Sequence, residues 1–274
     1  MTAGVLRLRY KNLQAFKCHL RDIISTSKDT EKARVSLGFN CKTSVGTKFY
    51  TCTDFTEDQR IDDLMGIMAG GTETTAHSLL SCLYYLKKYP NTLQKLKEEL
   101  HKEGFRKDVD YEKQYTVENI QNCSYLNCIV KETFRRDASV PDTFDYCSIE
   151  DTEICGVPIA KGIKVKLDLV SNHFADDQWL EPLEFVPERH DIESDFYKKS
   201  RDAGKIQNSY SRRIFSHGRR NCAGQSLANM EMKVIIAYLV THMEFTFDKK
   251  DLETEGIGFG IASQFNPKIT VTKL

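Results

Sequence analysis

The stretch Phe215-Ser216-His217-Gly218-Arg219-Arg220-Asn221-Cys222-Ala223-Gly224 places one cysteine between two glycines, two residues after an arginine pair and directly ahead of a helix-forming run. A helix N-terminus and neighbouring guanidinium groups both stabilise negative sulfur, so these neighbours favour Cys222 as a thiolate. Gly218 and Gly224 allow a tight backbone turn and close approach to a flat ligand. The chain has no C-x-x-C and no C-x-x-C-H. A lone thiolate of this kind suits an axial ligand to haem iron better than a zinc site. A buried cysteine that merely starts a helix is the plainer alternative for Cys222 taken alone.

Downstream of this loop, residues 225–240 read as a helix burying Leu227, Met230, Val234 and Tyr238, and strands are expected near 245–247 and 268–271. Upstream, Thr56 and Gln59 have the form of a capping box, and helix-forming residues then run without proline to Tyr89, where Pro90 stops them. The predicted long helix therefore covers 57–89. Its middle, Gly70-Gly71-Thr72-Glu73-Thr74-Thr75, is a poor helix sequence, since each glycine costs about 1 kcal/mol relative to alanine. Something other than helix stability selects it.

Leu13, Phe16, Leu20 and Ile23 predict an amphipathic helix over 10–25, followed by a polar loop over 25–53. Leu93, Leu96 and Leu100 predict another helix over 91–101, closed by Gly104. A third helical region runs from 116 to 136 with a break near Asn122, which puts Glu132 and Arg135 on a helix over 124–136. Past Pro141 the period becomes two: Ile163, Val165, Leu167 and Leu169 alternate with polar residues after an Ala160-Lys161-Gly162 turn. Residues 145–170 thus predict a small antiparallel sheet, and 191–213 a long polar loop. The expected fold class is mainly α with small antiparallel β-sheets (α+β).

At 274 residues the chain can bury a substantial core, and 40% hydrophobic with 28% charged residues argues against a disordered or membrane-embedded protein. Thirty-nine basic residues balance 39 acidic ones, so no whole-protein charge argues for nucleic acid or an anionic membrane. Nine cysteines, an odd number, exclude a full disulfide framework and are expected to be mostly buried small hydrophobes. No apolar run reaches the roughly 18 residues of a spanning helix. His77, His173 and His217 lack a second ligand at metal spacing and read as ordinary histidines. Local charge is different: Lys198, Lys199, Arg201, Lys205, Arg212, Arg213, Arg219 and Arg220 face one acid, Asp202. That field suits anionic groups of a cofactor or an acidic electron-donor protein. The lack of interleaved aromatics argues against nucleic acid.

The 215–224 loop resembles the haem-binding loop of the cytochrome P-450 family, with Phe, Gly, Arg, Cys and Gly at that family's spacing. The resemblance implies Cys222 as proximal iron ligand of haem b, Arg220 on a haem propionate, Phe215 beside the sulfur, and Gly218 and Gly224 shaping the loop. The 70–75 segment is similar to the family's distal oxygen-binding helix. Gly70 and Gly71 then lie toward the porphyrin, while a threonine hydroxyl can take a backbone carbonyl and open the helical ladder. Glu73 and Thr74 become a catalytic proton-relay pair. Glu132 and Arg135, with Pro187-Glu188-Arg189 later in the chain, resemble the family's E-x-x-R triad of Glu132, Arg135 and Arg189, a structural lock. Trp179, Pro182 and Phe185 occupy the expected run before it.

By this resemblance the chain is a haem-thiolate monooxygenase that inserts one atom of dioxygen into an apolar small molecule. Its electrons come from NADPH through a flavoprotein or iron–sulfur donor. Residues 1–274 form a single, truncated domain corresponding to the C-terminal part of the family pattern, without a membrane segment. Full-length relatives suggest the cytosolic face of the endoplasmic reticulum. Two departures stand out: Arg136-Asp137-Ala138-Ser139-Val140 leads to a single Pro141 where the family has a proline pair, and Tyr146 replaces an arginine or histidine that meets a propionate. The competing functional readings are an inactive haem-binding or haemless remnant, and a helical interaction module without catalysis.

Overall fold

The computed structural model describes Lys17, Cys18, Arg21, Asp22 and Thr26, and then residues 54–205, 207–208, 210–253 and 267–274. The chain divides into two compact units, Met1–Thr72 and Glu73–Leu274. In the first, Lys17, Cys18, Arg21 and Asp22 are helical where a helix is predicted, and Thr26 is helical too, inside the stretch predicted as loop. The other residues of that predicted helix, and most of the predicted 25–53 loop, lie outside the described residues. Arg21 reaches Glu57 and Asp58, both at 2.8 Å, and Lys17 meets Asp62 at 2.5 Å.

The long helix α1 spans Glu57–Lys88. Its start is the predicted capping box: Gln59 N–H donates to Thr56 Oγ1 at 3.3 Å, while Gln59 Oε1 accepts from Thr56 N–H at 2.9 Å. Pro90 ends it and also opens the next helix, α2 (Pro90–Lys102), one residue before the predicted start. Proline suits the first helical position because its missing N–H has no helical partner there.

The second unit holds the main core. Residues of α1 from Cys82 to Leu86 pack with Leu96 and Leu100 of α2, and with Leu126, Ile129 and Val130 of α5 (Ser124–Arg136). Met232, Ile236 and Val240 of α7 (Gln225–His242) complete the cluster. Two short helices, α3 (Tyr111–Gln114) and α4 (Val117–Asn122), precede α5, and the predicted break falls at Cys123. α5 begins under a borrowed cap: Glu99 of α2 accepts from Tyr125 N–H at 2.7 Å and Leu126 N–H at 2.8 Å. This satisfies two of the helix's free donors and sets a carboxylate at its positive end.

The β region is smaller than its alternation suggests. β1 (Tyr146–Cys147) pairs antiparallel with β4 (Lys164–Val165), and between them β2 (Thr152–Ile154) and β3 (Val157–Ile159) form a hairpin. The predicted turn at 160–163 is present, with Gly162 at φ +86° and Ile163 N–H donating to Ala160 C=O at 3.2 Å. Ile163 and Leu167 are exposed, Val165 is half-buried and only Leu169 is buried, so the period-two run covers little of the core. The predicted polar loop of 191–213 contains an eight-residue helix, α6 (Asp195–Asp202), capped by Ser194. β5 (Met243–Phe247) pairs with β6 (Ile269–Lys273), and α8 (Lys249–Glu253) follows β5. Among the described residues no helix is long and apolar enough to cross a membrane. The described chain is mainly helical with small antiparallel sheets, as the sequence predicts.

α7 buries a different face from the expected one. Leu227 and Tyr238 are exposed and Met230 and Val234 half-buried, whereas Met232, Ile236, Ala237 and Val240 are buried. The helix is apolar on both sides, so periodicity alone does not select which side packs.

Candidate functional site

The Cys222 loop is a closed turn in front of α7. Cys222 N–H donates to Phe215 C=O at 2.9 Å, and Gly218 takes φ +74°, a backbone region costly for a residue with a side chain. Gly224 is the N-cap of α7, so the sulfur stands two residues ahead of a helix N-terminus. A Cβ added at Gly224 would meet Cys222 Sγ at 3.7 Å; at Gly218 it would meet nothing within 4 Å. Cys222, Arg219 and Arg220 are exposed. Phe215 is half-buried and sets its ring edge-on against Phe134 of α5, with centroids 5.4 Å apart.

The other described cysteines fall into two groups. Cys82, Cys123 and Cys128 are buried, and desolvation pushes Cys82 and Cys123 up to about 12 and Cys128 up to about 11, keeping all three as neutral thiols. Cys18, Cys147 and Cys155 are exposed like Cys222, so the expectation of mostly buried cysteines does not hold for the described residues. Cys147 lies in β1, and Cys155 sits at the tip of the β2–β3 hairpin with φ +50°.

Glu132, Arg135 and Arg189 converge without solvent. Glu132 Oε1 accepts from Arg135 Nη2 at 2.8 Å and from Arg189 Nε at 2.9 Å, and Oε2 accepts from Arg135 Nε at 2.9 Å. All three residues are buried. Burial alone would raise the Glu132 carboxyl, but the two guanidinium groups and His190 hold it well below the usual carboxylate range. The remaining guanidinium donors go to carbonyls of His173, Leu180, Glu181, Pro182 and Glu184. Trp179 lies under both arginines, 5.0 Å from Arg135 and 5.8 Å from Arg189.

Two histidines belong to this assembly although their sequence context gives no sign of it. His173 Nδ1 meets Arg135 C=O at 3.1 Å, and its Nε2 accepts from Arg213 N–H at 3.1 Å, so one imidazole links α5 to the strand of chain entering the cysteine loop. His190 Nε2 contacts Glu132 Oε2 at 2.9 Å. Desolvation brings both down to about 4, so both are neutral at pH 7. An unfolded chain takes up protons on these histidines near 6.5, whereas the folded one resists to about 4. Stability should therefore fall as pH drops through that window, by up to about 1.4 kcal/mol per unit for each group. Urea midpoints at pH 7.5 and 5.0 test this, and His173→Asn should flatten the slope. A midpoint constant over that range would refute it.

The Thr74 turn is held by the segment just past the end of α5. In the second unit, Thr74 C=O accepts from Ser78 Oγ at 3.0 Å and from Ser139 Oγ at 2.9 Å; Glu73 is exposed and Thr74 half-buried. In the first unit, Thr72 Oγ1 donates to Met68 C=O at 2.6 Å, a carbonyl-binding hydroxyl of the kind expected in this motif. Gly70 and Gly71 are exposed, and a Cβ added at either would meet nothing within 4 Å. The basic run is not uniform either. Lys198, Lys199, Arg201, Arg219 and Arg220 are exposed, while Lys205, Arg212 and Arg213 are half-buried, with Arg213 stacked 3.7 Å over Tyr210. Tyr146 is exposed in β1.

The family model described as Cytochrome P450 matches residues 9–268. The chain is 27% identical over 239 residues to a trifunctional (S)-stylopine, (S)-nandinine and (S)-canadine synthase of Argemone mexicana, covering 86% of this chain and 45% of that protein. It is 29% identical over 180 residues to cytochrome P450 monooxygenase aclL of Aspergillus oryzae, covering 65% and 34%. Human cytochrome P450 4V2 is 31% identical over 202 residues, covering 73% and 36%. The chain spans less than half the length of each of these relatives. With the family model covering nearly all of it, and with the cysteine loop and buried E-x-x-R cluster joined through one helix, this chain is a member of the cytochrome P450 family.

Proposed function

We propose that the chain carries the haem-binding and proton-delivery machinery of a haem-thiolate monooxygenase, in which Cys222 would hold the haem iron. The observation that carries this reading is the exposed Cys222 sulfur on a closed loop ahead of α7, tied through Phe215 and Arg213 to the buried Glu132–Arg135–Arg189 cluster. The residues fit the group chemically. One exposed sulfur suits a metal otherwise held by its own macrocycle, and a helix end with two exposed arginines suits two propionates. Glycines at 218 and 224 keep side chains away from the loop.

The chemistry that haem supplies when bound is activation of dioxygen, favoured by electron density from the thiolate. The chain's own part is to hold, neutralise and supply protons. Cys222 would hold the iron and Arg220 would offset a propionate, while Gly218 with Gly224 sets the turn. Phe215 fixes the loop on α5. Glu73, in water, takes up protons, and Thr74 Oγ1 passes them inward. Gly70 and Gly71 leave their helix face free of side chains. The substrate class is an apolar small molecule. The electron donor is an acidic flavoprotein or iron–sulfur protein drawing on NADPH and docking at the basic residues between Lys198 and Arg220.

Loading the full chain with haem and recording the reduced carbon-monoxide spectrum tests the reading. A strongly red-shifted Soret band supports it, and absent haem uptake points instead to a haemless remnant. Product formation with a reductase then separates enzyme from passive binder. Thr74→Ala should leave that spectrum intact while raising the hydrogen peroxide released per NADPH severalfold. Unchanged product per NADPH would remove Thr74 from the proton path.

A further inference from the structure

The segment Asp137-Ala138-Ser139, which departs from the family's proline pair, makes a set of contacts that the proposed mechanism leaves unused. Ser139 Oγ donates to Thr74 C=O at 2.9 Å and lies 2.8 Å from Ser78 Oγ, whose own distance to Thr74 C=O is 3.0 Å. A proline at 139 would have no hydroxyl to offer. Two residues earlier, the Asp137 side chain is fully buried, and Oδ2 accepts from Ser81 Oγ at 2.5 Å. His77 Nε2 stands 3.0 Å from the same oxygen but is not aligned as a hydrogen bond, and Asp137 Oδ1 has no hydrogen-bond partner. Thr74, His77, Ser78 and Ser81 fall at spacings of three, one and three residues, one continuous face of α1.

A buried carboxylate without a full set of partners is costly, and so is a serine hydroxyl bent onto a helical carbonyl. Both costs fall at one junction, and both contacts bind the same helical face to the end of α5. We propose that Asp137 and Ser139 are positioning residues for Thr74: a two-rung polar clamp fixing the Thr74 turn to the C-terminal end of the E-x-x-R helix. Ser139 is the rung at the threonine itself, and Asp137 with Ser81 is the rung two turns further along. The assignment of purpose, though not the clamp, rests on the reading of Thr74 as a proton donor.

Amide hydrogen exchange of the full chain measures the clamp without any cofactor. Ser139→Ala should speed exchange in peptides covering 74–81 about tenfold or more, while peptides of α2 and the first turns of α5 stay unchanged. Ser139→Thr, which restores a hydroxyl, should return the rate to that of the native chain. Asp137→Asn should speed exchange at 77–81 more than at 74–76. In the haem-loaded protein, Ser139→Ala should raise peroxide per NADPH as Thr74→Ala does, with an unshifted carbon-monoxide band, and the double variant should add nothing further. Unchanged local exchange in Ser139→Ala overturns the clamp. Faster exchange with unchanged peroxide overturns its role toward Thr74, and a native chain that takes up no haem overturns the monooxygenase reading while leaving the exchange result standing.

Discussion

Cys222→Ser abolishes the red-shifted Soret band of the reduced carbon-monoxide complex, while the far-ultraviolet circular dichroism and the urea midpoint stay close to those of the native chain. The two halves of this expectation have separate causes. The spectral loss is complete because no other described sulfur can substitute. Cys82, Cys123 and Cys128 are buried neutral thiols, while Cys18, Cys147 and Cys155 belong to other elements. Structural retention follows from exposure: Cys222 is on the surface and its loop is closed by its backbone N–H. Surface substitutions without buried partners change stability by roughly 0.5 kcal/mol or less. A variant that keeps the band would displace Cys222 as ligand. A variant that loses its fold would make the residue a packing element instead.

Glu132→Ala is the counterpart with the opposite signature. It leaves Arg135 and Arg189 facing one another with no anion between them, in a site where all three side chains are buried. Removing one partner of a buried ion cluster costs about 3–5 kcal/mol, mainly because the other charges are stranded. That loss is comparable to the whole stability of many domains, so the variant is expected to be largely unfolded or insoluble at 37 °C. Glu132→Gln separates charge from shape: it retains an acceptor oxygen for one guanidinium and should lose less, though still more than 1 kcal/mol. Urea denaturation of both variants provides the measurement. A Glu132→Ala midpoint equal to that of the native protein would mean that the cluster is not a lock. The loss should reach the cysteine loop as well, since Arg135 C=O holds His173 and His173 holds Arg213 N–H.

How far these features can be read from sequence depends on whether their cause is local. The capping box of Thr56 and Gln59 and the break at Cys123 are decided within a few residues, and both are found where expected. The triad is legible because Glu132 and Arg135 share a helix and Arg189 sits in a distinctive Pro-Glu-Arg run. α6 was hidden by polarity, because Asp195–Asp202 buries only Ser200 and so leaves almost no apolar period. The packed face of α7 was undecidable because apolar residues occupy both sides. His173 and His190 escape for another reason. Each is held by groups distant in sequence, His173 by two backbone atoms and His190 by Glu132, and a backbone partner leaves no residue-type signature. Asp137 and Ser139 are visible only as a departure from the family pattern, and their purpose needs the distances to α1.

α5 carries both ends of the proposed site, with Phe134 and Arg135 toward the cysteine loop and Asp137 and Ser139, just past its end, toward the Thr74 turn. One added residue in a helix rotates everything beyond it by about 100° and shifts it about 1.5 Å. An insertion at the exposed Cys155–Gly156 hairpin tip, by contrast, lies outside α5 and leaves that phase unchanged. A one-residue insertion between Arg135 and Asp137 would put the two ends out of helical phase.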